Sequence, residues 1–249
     1  MIRMKVLVTA GNTWAPIDKV RVLTNIFTGK TGASIADEAM RRNHSVTLLT
    51  SQPDIAERLW SAERGAQSAE QDKSSALRAP RSALHKYRTF DELRELMATH
   101  IRSGSFNAVI HSAAVSDYLA GGVYSSSDMK PASPLPQTAK IKSAEPELWL
   151  RLVRAPKLVD LVRGDWQFGG VLVKFKLEAG ADDKSLLDIA ERSRLQSKAD
   201  LMVANTLEGA GEWAYLGPLA AGYQRIPRSE LAERLLDAVE HLHKERGHA

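Results

Sequence analysis

Residues 4–32 read MKVLVTAGNTWAPIDKVRVLTNIFTGKTG, and this stretch decides the fold. Lys5–Thr9 is a short Val-rich apolar run, the pattern of a buried strand. A glycine turn follows at Gly11, then a polar loop, then Gly29-Lys30-Thr31-Gly32 at the opening of a helix predicted over Lys30–Arg42. A strand end beside a helix N-terminus presents free backbone N–H groups and the positive end of a dipole, which together suit a phosphate. The full phosphate-loop pattern is not met. It requires Gly at position 24, where Thr24 stands, and it must follow its strand at once. The dinucleotide fingerprint G-x-G-x-x-G is also missing after the first strand. On residues alone, Gly29 and Gly32 serve either a phosphate or the close packing of a helix on a sheet.

Outward from this stretch, apolar runs alternate with helical patterns. Strands are predicted at Val46–Thr50, Ala108–Ser112, Leu148–Val153, Gly170–Leu177 and Asp200–Ala204. Helices are predicted at Phe90–Ile101, Pro156–Val162, Ser185–Ser197 and Arg228–Lys244. This alternation predicts an α/β fold with a doubly wound, mostly parallel, Rossmann-like sheet, as one domain over residues 1–249. Such sheets bind ligands at the carboxyl ends of their strands. Two stretches break the rhythm. Residues 54–82 are polar and weakly periodic and read as a surface insertion, partly helical at Ile55–Arg64. Residues 119–139 hold Gly121-Gly122, a Ser125–Ser127 run and three prolines, and read as a mobile flap or lid.

Composition narrows the function. The 249 residues contain 43% hydrophobic residues, enough for a sizeable core, and no apolar run of membrane-spanning length. There is no cysteine, which rules out disulfides, thiolate metal sites and a Cys nucleophile. That absence, with a start that runs straight into a strand, leads us to expect a cytoplasmic protein. The formal net charge is +4, with basic residues scattered among acidic ones, so neither a nucleic-acid surface nor a membrane surface is indicated. A modest positive balance suits anionic small molecules. The seven histidines lack metal-ligand spacing, and no G-x-S-x-G elbow exists. No protein metal site is expected.

Five further places stand where ligands would approach. His111-Ser112-Ala113-Ala114-Val115-Ser116-Asp117 ends an apolar strand in small residues and a carboxylate, which serves either ligand hydroxyls or a helix cap. Pro156-Lys157-Leu158-Val159 starts a helix, as an anion site or as an ordinary turn. Phe175 either packs on a base or belongs to the core. Arg194 and Lys198 are i, i+4 on one helix face, and there reach phosphate together or solvent. Asn25, before the first helix, can orient a carboxylate without adding charge, or simply form a turn.

These segments, in this order, resemble phosphopantothenoylcysteine synthetase. The resemblance rests on Ala10-Gly11-x-Thr13, Pro16-Ile17-Asp18-x-Val20-Arg21, Thr24-Asn25, Gly29-Lys30-x-Gly32 and Ala113-Ala114-Val115-x-Asp117-Tyr118. It continues through Lys140-Ile141-Lys142, Pro156–Val159, Phe175-Lys176-Leu177-Glu178, Lys198-x-Asp200 and Val203-Ala204-Asn205. It spans about residues 4–245 and implies ligation of 4′-phosphopantothenate to cysteine through an acyl-nucleotide, with CTP or ATP and Mg²⁺, in a homodimer. It makes Asn25 and Lys140 catalytic, with Lys130 a competitor for the second role. It places Gly11, Gly29, Gly32, Ser112, Ala113, Asp117, Pro156, Lys157, Leu158, Val159, Phe175, Arg194 and Lys198 around the nucleotide. No flavin-binding half is visible, so FMN is not expected. Three features depart from the family pattern: the loop Asn25-Ile26-Phe27-Thr28-Gly29, where Ser-Ser usually precedes the glycine, Lys174 before Phe175, and Arg194 for a lysine. A nicotinamide- or flavin-dependent reductase on a related sheet, and a non-catalytic nucleotide-binding relative, are the competing readings.

Overall fold

The computed structural model describes residues 3–67, 82–104, 106–125 and 147–247. The elements run β1 (Lys5–Ala10), β2 (Ala15–Pro16), β3 (Val22–Leu23), α1 (Lys30–Arg41), β4 (Ser45–Thr50), α2 (Pro53–Gln67), β5 (Ser82–Lys86), α3 (Phe90–Arg102) and β6 (Ala108–His111). They continue through β7 (Tyr118–Ser125), β8 (Leu148–Arg154), α4 (Leu158–Arg163), β9 (Val171–Glu178), α5 (Asp183–Gln196), β10 (Leu201–Thr206), β11 (Trp213–Leu219), β12 (Gly222–Pro227), a 3-10 turn (Arg228–Glu230) and α6 (Leu231–Gly247).

Eight strands form one sheet in the order β12-β11-β10-β9-β6-β1-β4-β5. The six strands from β10 to β5 are all parallel to their neighbours, and β11 pairs antiparallel to both β10 and β12. The expected doubly wound α/β sheet is therefore present. The chain winds one way from β1 through β4 to β5, then returns to β6 and winds the other way. The strand order reverses between β1 and β6, and there the crevice of such a sheet opens.

Both faces of the sheet are covered, which is why its central strands are continuous apolar runs. Val6, Val8 and Ala10 of β1 point to one layer with Ile35 and Ala36 of α1 and Leu235 and Val239 of α6. Leu7 points to the other layer with Leu93 and Met97 of α3 and Leu158 and Val162 of α4. Local signals set the helix ends. Thr89 and Glu92 form a reciprocal capping box on α3, and Asp182 caps α5 by accepting from Ser185 N–H. Arg246, near the end of α6, donates to the carbonyl of Gly169 at 3.0 Å and pairs with Asp200, which also pairs with Arg163. No described helix is long and apolar enough to cross a membrane.

Three expectations need correction. Leu148–Val153 is a strand, but it belongs to a separate two-stranded antiparallel arm with β7, away from the main sheet. Its sequence LWLRLVR leaves most side chains exposed, whereas the central strands of a parallel sheet are buried. Residues 119–125 of the expected flap are strand, bent by a register shift between Ala120 and Gly122; the remainder, 126–139, lies outside the described residues. The start of the 54–82 stretch is no surface insertion. It is the crossover helix α2, which packs on α1 and buries Ala56 and Trp60 in the core.

Candidate active site

The site is built from strand ends. Gly29 caps α1 in the left-handed region, with φ 79°. A Cβ there would lie 2.3 Å from the backbone nitrogen of Gly11. At Gly32, a Cβ would lie 2.6 Å from the Ala10 Cβ and 2.5 Å from the Ser112 hydroxyl. The two glycines thus let the front of α1 sit against the ends of β1 and β6 with no side chain between. The close-packing reading holds, and it brings Gly29, Lys30 and Thr31, where the first N–H groups lack intrahelical partners, to the crevice.

The loops around this point are stitched together by side chains. Asn12 donates from Nδ2 to the carbonyl of Asn25 at 2.9 Å, and Thr24 Oγ1 donates to the carbonyl of Thr13 at 3.0 Å. Asn25 donates from Nδ2 to the carbonyl of Ala114 at 2.7 Å. Ser112 Oγ donates to the carbonyl of Thr9 at 2.7 Å, and Ser116 N–H donates to Thr13 Oγ1 at 2.9 Å. Asp18 closes the β2–β3 turn on itself: Oδ1 accepts from Val20 N–H and Arg21 N–H, and Oδ2 takes the Arg21 guanidinium at 2.6 Å. Asp18 and Arg21 of the sequence pattern therefore shape a loop rather than face the crevice.

The crevice is a cavity of about 490 Å³, within the usual range for small-molecule sites. Among the expected site residues it brings together Gly11, Asn25, Gly29, Ser112, Ala113, Asp117, Pro156, Lys157, Leu158, Val159 and Phe175. Gly32 lies behind this surface, against Ser112 and Ala10. Lys130 and Lys140 lie outside the described residues.

Arg194 and Lys198 do not line the cavity. α5 ends at Gln196, Ser197 caps it, and Lys198 turns left-handed at φ 51°, so the two residues share no helix face. Arg194 is taken up by Glu191, at 2.6 and 2.8 Å, and by the carbonyl of Ala199 at 2.8 Å. Hydrogen bonds to Glu191 raise the Arg194 pKa, and the same bonds lower that of Glu191.

Other cations take their place. Among the described residues Lys30, Lys157, Lys174, Lys176 and Arg228 line the cavity, against one lining carboxylate, Asp117. Lys176 is paired with Glu178 at 2.8 Å. Lys174 is almost fully buried, and its Nζ donates to the carbonyl of Ser193 at 3.0 Å and to Ser197 Oγ at 2.5 Å. Burial lowers its pKa to about 8; nearby Asp160 opposes that shift, while Lys157 and Lys176 add to it. Beside it in register is His111, whose Nδ1 lies 2.9 Å from Thr9 Oγ1. Burial, with a smaller push from Lys174, lowers the His111 pKa to about 4, so its ring is neutral at pH 7.

Lys174 and Arg228 were not expected in the site. Lys174 had a visible signal, a charge inside the apolar run VLVKF, where an unpaired lysine is costly. Arg228 had none, because Thr31, the residue its guanidinium meets, is 197 positions away. Among the described residues no group of three or more His, Asp or Glu converges as a metal cage.

Comparison with known proteins places this geometry. The family model for the DNA/pantothenate metabolism flavoprotein C-terminal domain matches residues 1–83 and 62–214. The chain is 33% identical over 244 residues to the coenzyme A biosynthesis bifunctional protein CoaBC of Thermococcus kodakarensis, covering 95% of this chain and 51% of that protein. It is 26% identical over 238 residues to phosphopantothenate–cysteine ligase 1 of Arabidopsis thaliana, covering 83% of this chain and 70% of that protein. It thus spans about half the length of the bifunctional relative. Among solved structures, a DNA/pantothenate metabolism flavoprotein from Streptococcus pneumoniae superposes with a TM-score of 0.76 at 27% identity, covering 96% of this chain and 99% of that one. A Cab2 variant in complex with phosphopantothenate-cysteine shares the fold, with a TM-score of 0.71 at 18% identity over 97% of this chain and 87% of that one.

Proposed function

The chain belongs to the DNA/pantothenate metabolism flavoprotein C-terminal domain family, and from that premise we propose that it is a phosphopantothenate–cysteine ligase. The observation that carries the reading is the charge of the crevice: among the described residues five cationic side chains, of which Lys176 is paired with Glu178, line it against one lining carboxylate, at the point where the strand order reverses. That balance fits a nucleoside triphosphate and a second phosphorylated substrate held side by side.

The reaction has two displacements. A carboxylate oxygen of 4′-phosphopantothenate attacks the α-phosphorus of CTP or ATP; the bond to the bridging oxygen breaks and pyrophosphate leaves with its electron pair. The amine of cysteine then attacks the acyl carbon; the bond to the nucleotide oxygen breaks, the monophosphate leaves, and the amine proton passes to solvent. No enzyme nucleophile is needed, so the chain's work is positioning and charge stabilisation. The first turn of α1 takes phosphate oxygens, Phe175 lies against the base, and Asn25 orients the acyl group. Lys140 meets the charge that develops on the reacting oxygens. Mg²⁺ carried in on the nucleotide's own phosphates would screen phosphate charge.

We also place this ligase in a homodimer. Tyr118, Leu148, Trp149 and Leu152 leave large apolar surfaces exposed on the β7–β8 arm, and β2, with Val22 and Leu23 exposed on its partner β3, lies beside β7. Exposed apolar groups gathered this way suit a second copy of the chain.

The deciding assay mixes purified protein with 4′-phosphopantothenate, cysteine and either CTP or ATP. Stoichiometric pyrophosphate, nucleoside monophosphate and phosphopantothenoylcysteine are expected, and running both nucleotides side by side settles which is used. Nucleotide binding without turnover would leave only a binding protein.

A further inference from the structure

We propose that Arg228 is a phosphate-binding residue of the crevice, clamping a phosphoryl group of a bound substrate against the first turn of α1. Three observations carry this. Arg228 lines the cavity beside Lys30 and Thr31. It is held there from two sides: its backbone N–H donates to the carbonyl of Glu212 at 2.8 Å, and its guanidinium donates to Thr31 Oγ1. Yet among the described residues no carboxylate pairs with it, and Thr31 Oγ1 is the one protein acceptor its side chain meets.

A guanidinium carries five donors in a planar fork and is always charged. Every other largely shielded arginine described in detail above has its counter-charge: Arg163 has Asp200, and Arg194 has Glu191. Arg228 is mostly shielded from solvent, and its pKa is lowered by burial with no opposing contribution. A partly buried cation without a protein anion is costly unless a ligand supplies the charge. The fork matches two phosphate oxygens at once, and Gly29, Lys30 and Thr31 at the front of α1 line the same cavity. Two sources share this chemistry: the terminal phosphates of the nucleotide and the phosphate ester of the acid substrate. The inference rests on the ligase reading and adds to it the residue that grips phosphate.

The test measures binding to the full-length chain by calorimetry, for wild type, Arg228→Gln and Arg228→Lys. The ligands are paired: CTP or ATP against the matching monophosphate, and 4′-phosphopantothenate against pantothenate. The expected result for Arg228→Gln is loss of at least about tenfold in affinity for the phosphorylated member of one pair, the size of a lost charge-assisted contact. The other member should be unaffected, and the thermal midpoint unchanged. Loss confined to the triphosphate assigns Arg228 to the nucleotide, and loss confined to phosphopantothenate assigns it to the acid; either supports the inference. Equal affinities in both pairs overturn it. So does uniform weakening with a lower thermal midpoint, which would make Arg228 only a prop for α1. Should Arg228→Gln fail to fold, Arg228→Lys carries the test, since it keeps the charge but loses the fork: a changed ratio within one pair supports the inference and unchanged ratios sink it. A wild-type chain that binds these ligands but makes no product would sink the ligase reading alone.

Discussion

The side-chain amide of Asn25 and the main-chain carbonyl of Ala114 lie 2.7 Å apart, across the gap between the loop that precedes α1 and the loop that follows β6. One N–H of the amide is thereby used to hold the two walls of the crevice together. The amide oxygen accepts from Phe27 N–H at 3.4 Å, and the residue lines the cavity. Asn25 is thus a fastener, and on the ligase reading it is also a preset donor. Asn25→Ala should cost about 1 kcal/mol of stability and about a hundredfold or more in turnover, as loss of an oriented donor does. Thermal melts and steady-state pyrophosphate release measure the two effects separately; a rate loss no larger than the stability loss explains would make Asn25 a fastener only.

Gly29→Ala should be worse than Gly32→Ala. At Gly29 the new methyl meets immovable backbone in a left-handed residue, whereas at Gly32 it meets two side chains and, at 3.0 Å, the carbonyl of Thr9. Overpacking of this kind costs about 1–3 kcal/mol. Both variants should melt earlier, and Gly29→Ala should also lose nucleotide affinity in calorimetry because α1 is pushed off the strand ends.

His111 should make the fold acid-sensitive. Its folded pKa, about 4, is below the unfolded value near 6.5, so the unfolded chain binds the extra proton first. The stability it contributes is present above about pH 6.5 and is lost as pH falls through about 4, amounting to about 3 kcal/mol across that window. His111→Gln keeps a hydrogen-bonding side chain for Thr9 and lacks the titration. Melting curves between pH 7 and pH 4 should fall more steeply for the wild type than for the variant; parallel curves would show that the ring stays neutral for no energetic reason.

Lys140→Gln should bind nucleotide as the wild type does and form less than about one per cent of the product per unit time, in line with loss of a charge that stabilises developing oxyanions. Lys130→Gln should behave as wild type. Rapid quench with labelled nucleotide reads whether the acyl-nucleotide accumulates or never forms.

Trp149→Asp should give a monomer in analytical ultracentrifugation if the β7–β8 arm is the contact between copies, since a buried unpaired charge opposes association. An unchanged sedimentation coefficient would move the contact elsewhere.

Most of the sheet was legible because parallel strands covered on both faces are unbroken apolar runs, as in KVLVTA and LMVANT. β5, with sequence SALHK, sits at the sheet edge and is only partly covered, so it carries no such run. The β11–β12 hairpin and β7 were hidden behind glycines and prolines that usually mark loops. In the site, residues on strand ends and turns stood out because each lies in a short linear pattern. Lys174 showed only as a charge inside an apolar run, and Arg228 did not show at all, because what makes it notable is the shielding around a charge, which depends on residues far away in the chain. The supposed partnership of Arg194 and Lys198 failed for a local reason: the helix stops between them.

The seam between β1 and β6 has a consequence for how this crevice can change. One wall, from Gly11 to Thr31, belongs to the half of the sheet wound toward β5, and the other, from His111 to Arg228, to the half wound toward β10. The gap between the walls is set by main-chain pairing of four residues on each strand, Val6–Thr9 with Ala108–His111, and is fastened by the few loop contacts that cross it, Asn25 to Ala114 and Ser116 to Thr13. Rim residues outside those fasteners can therefore be rewritten one by one, to prefer another base or another acid, while the aperture stays where the ladder holds it.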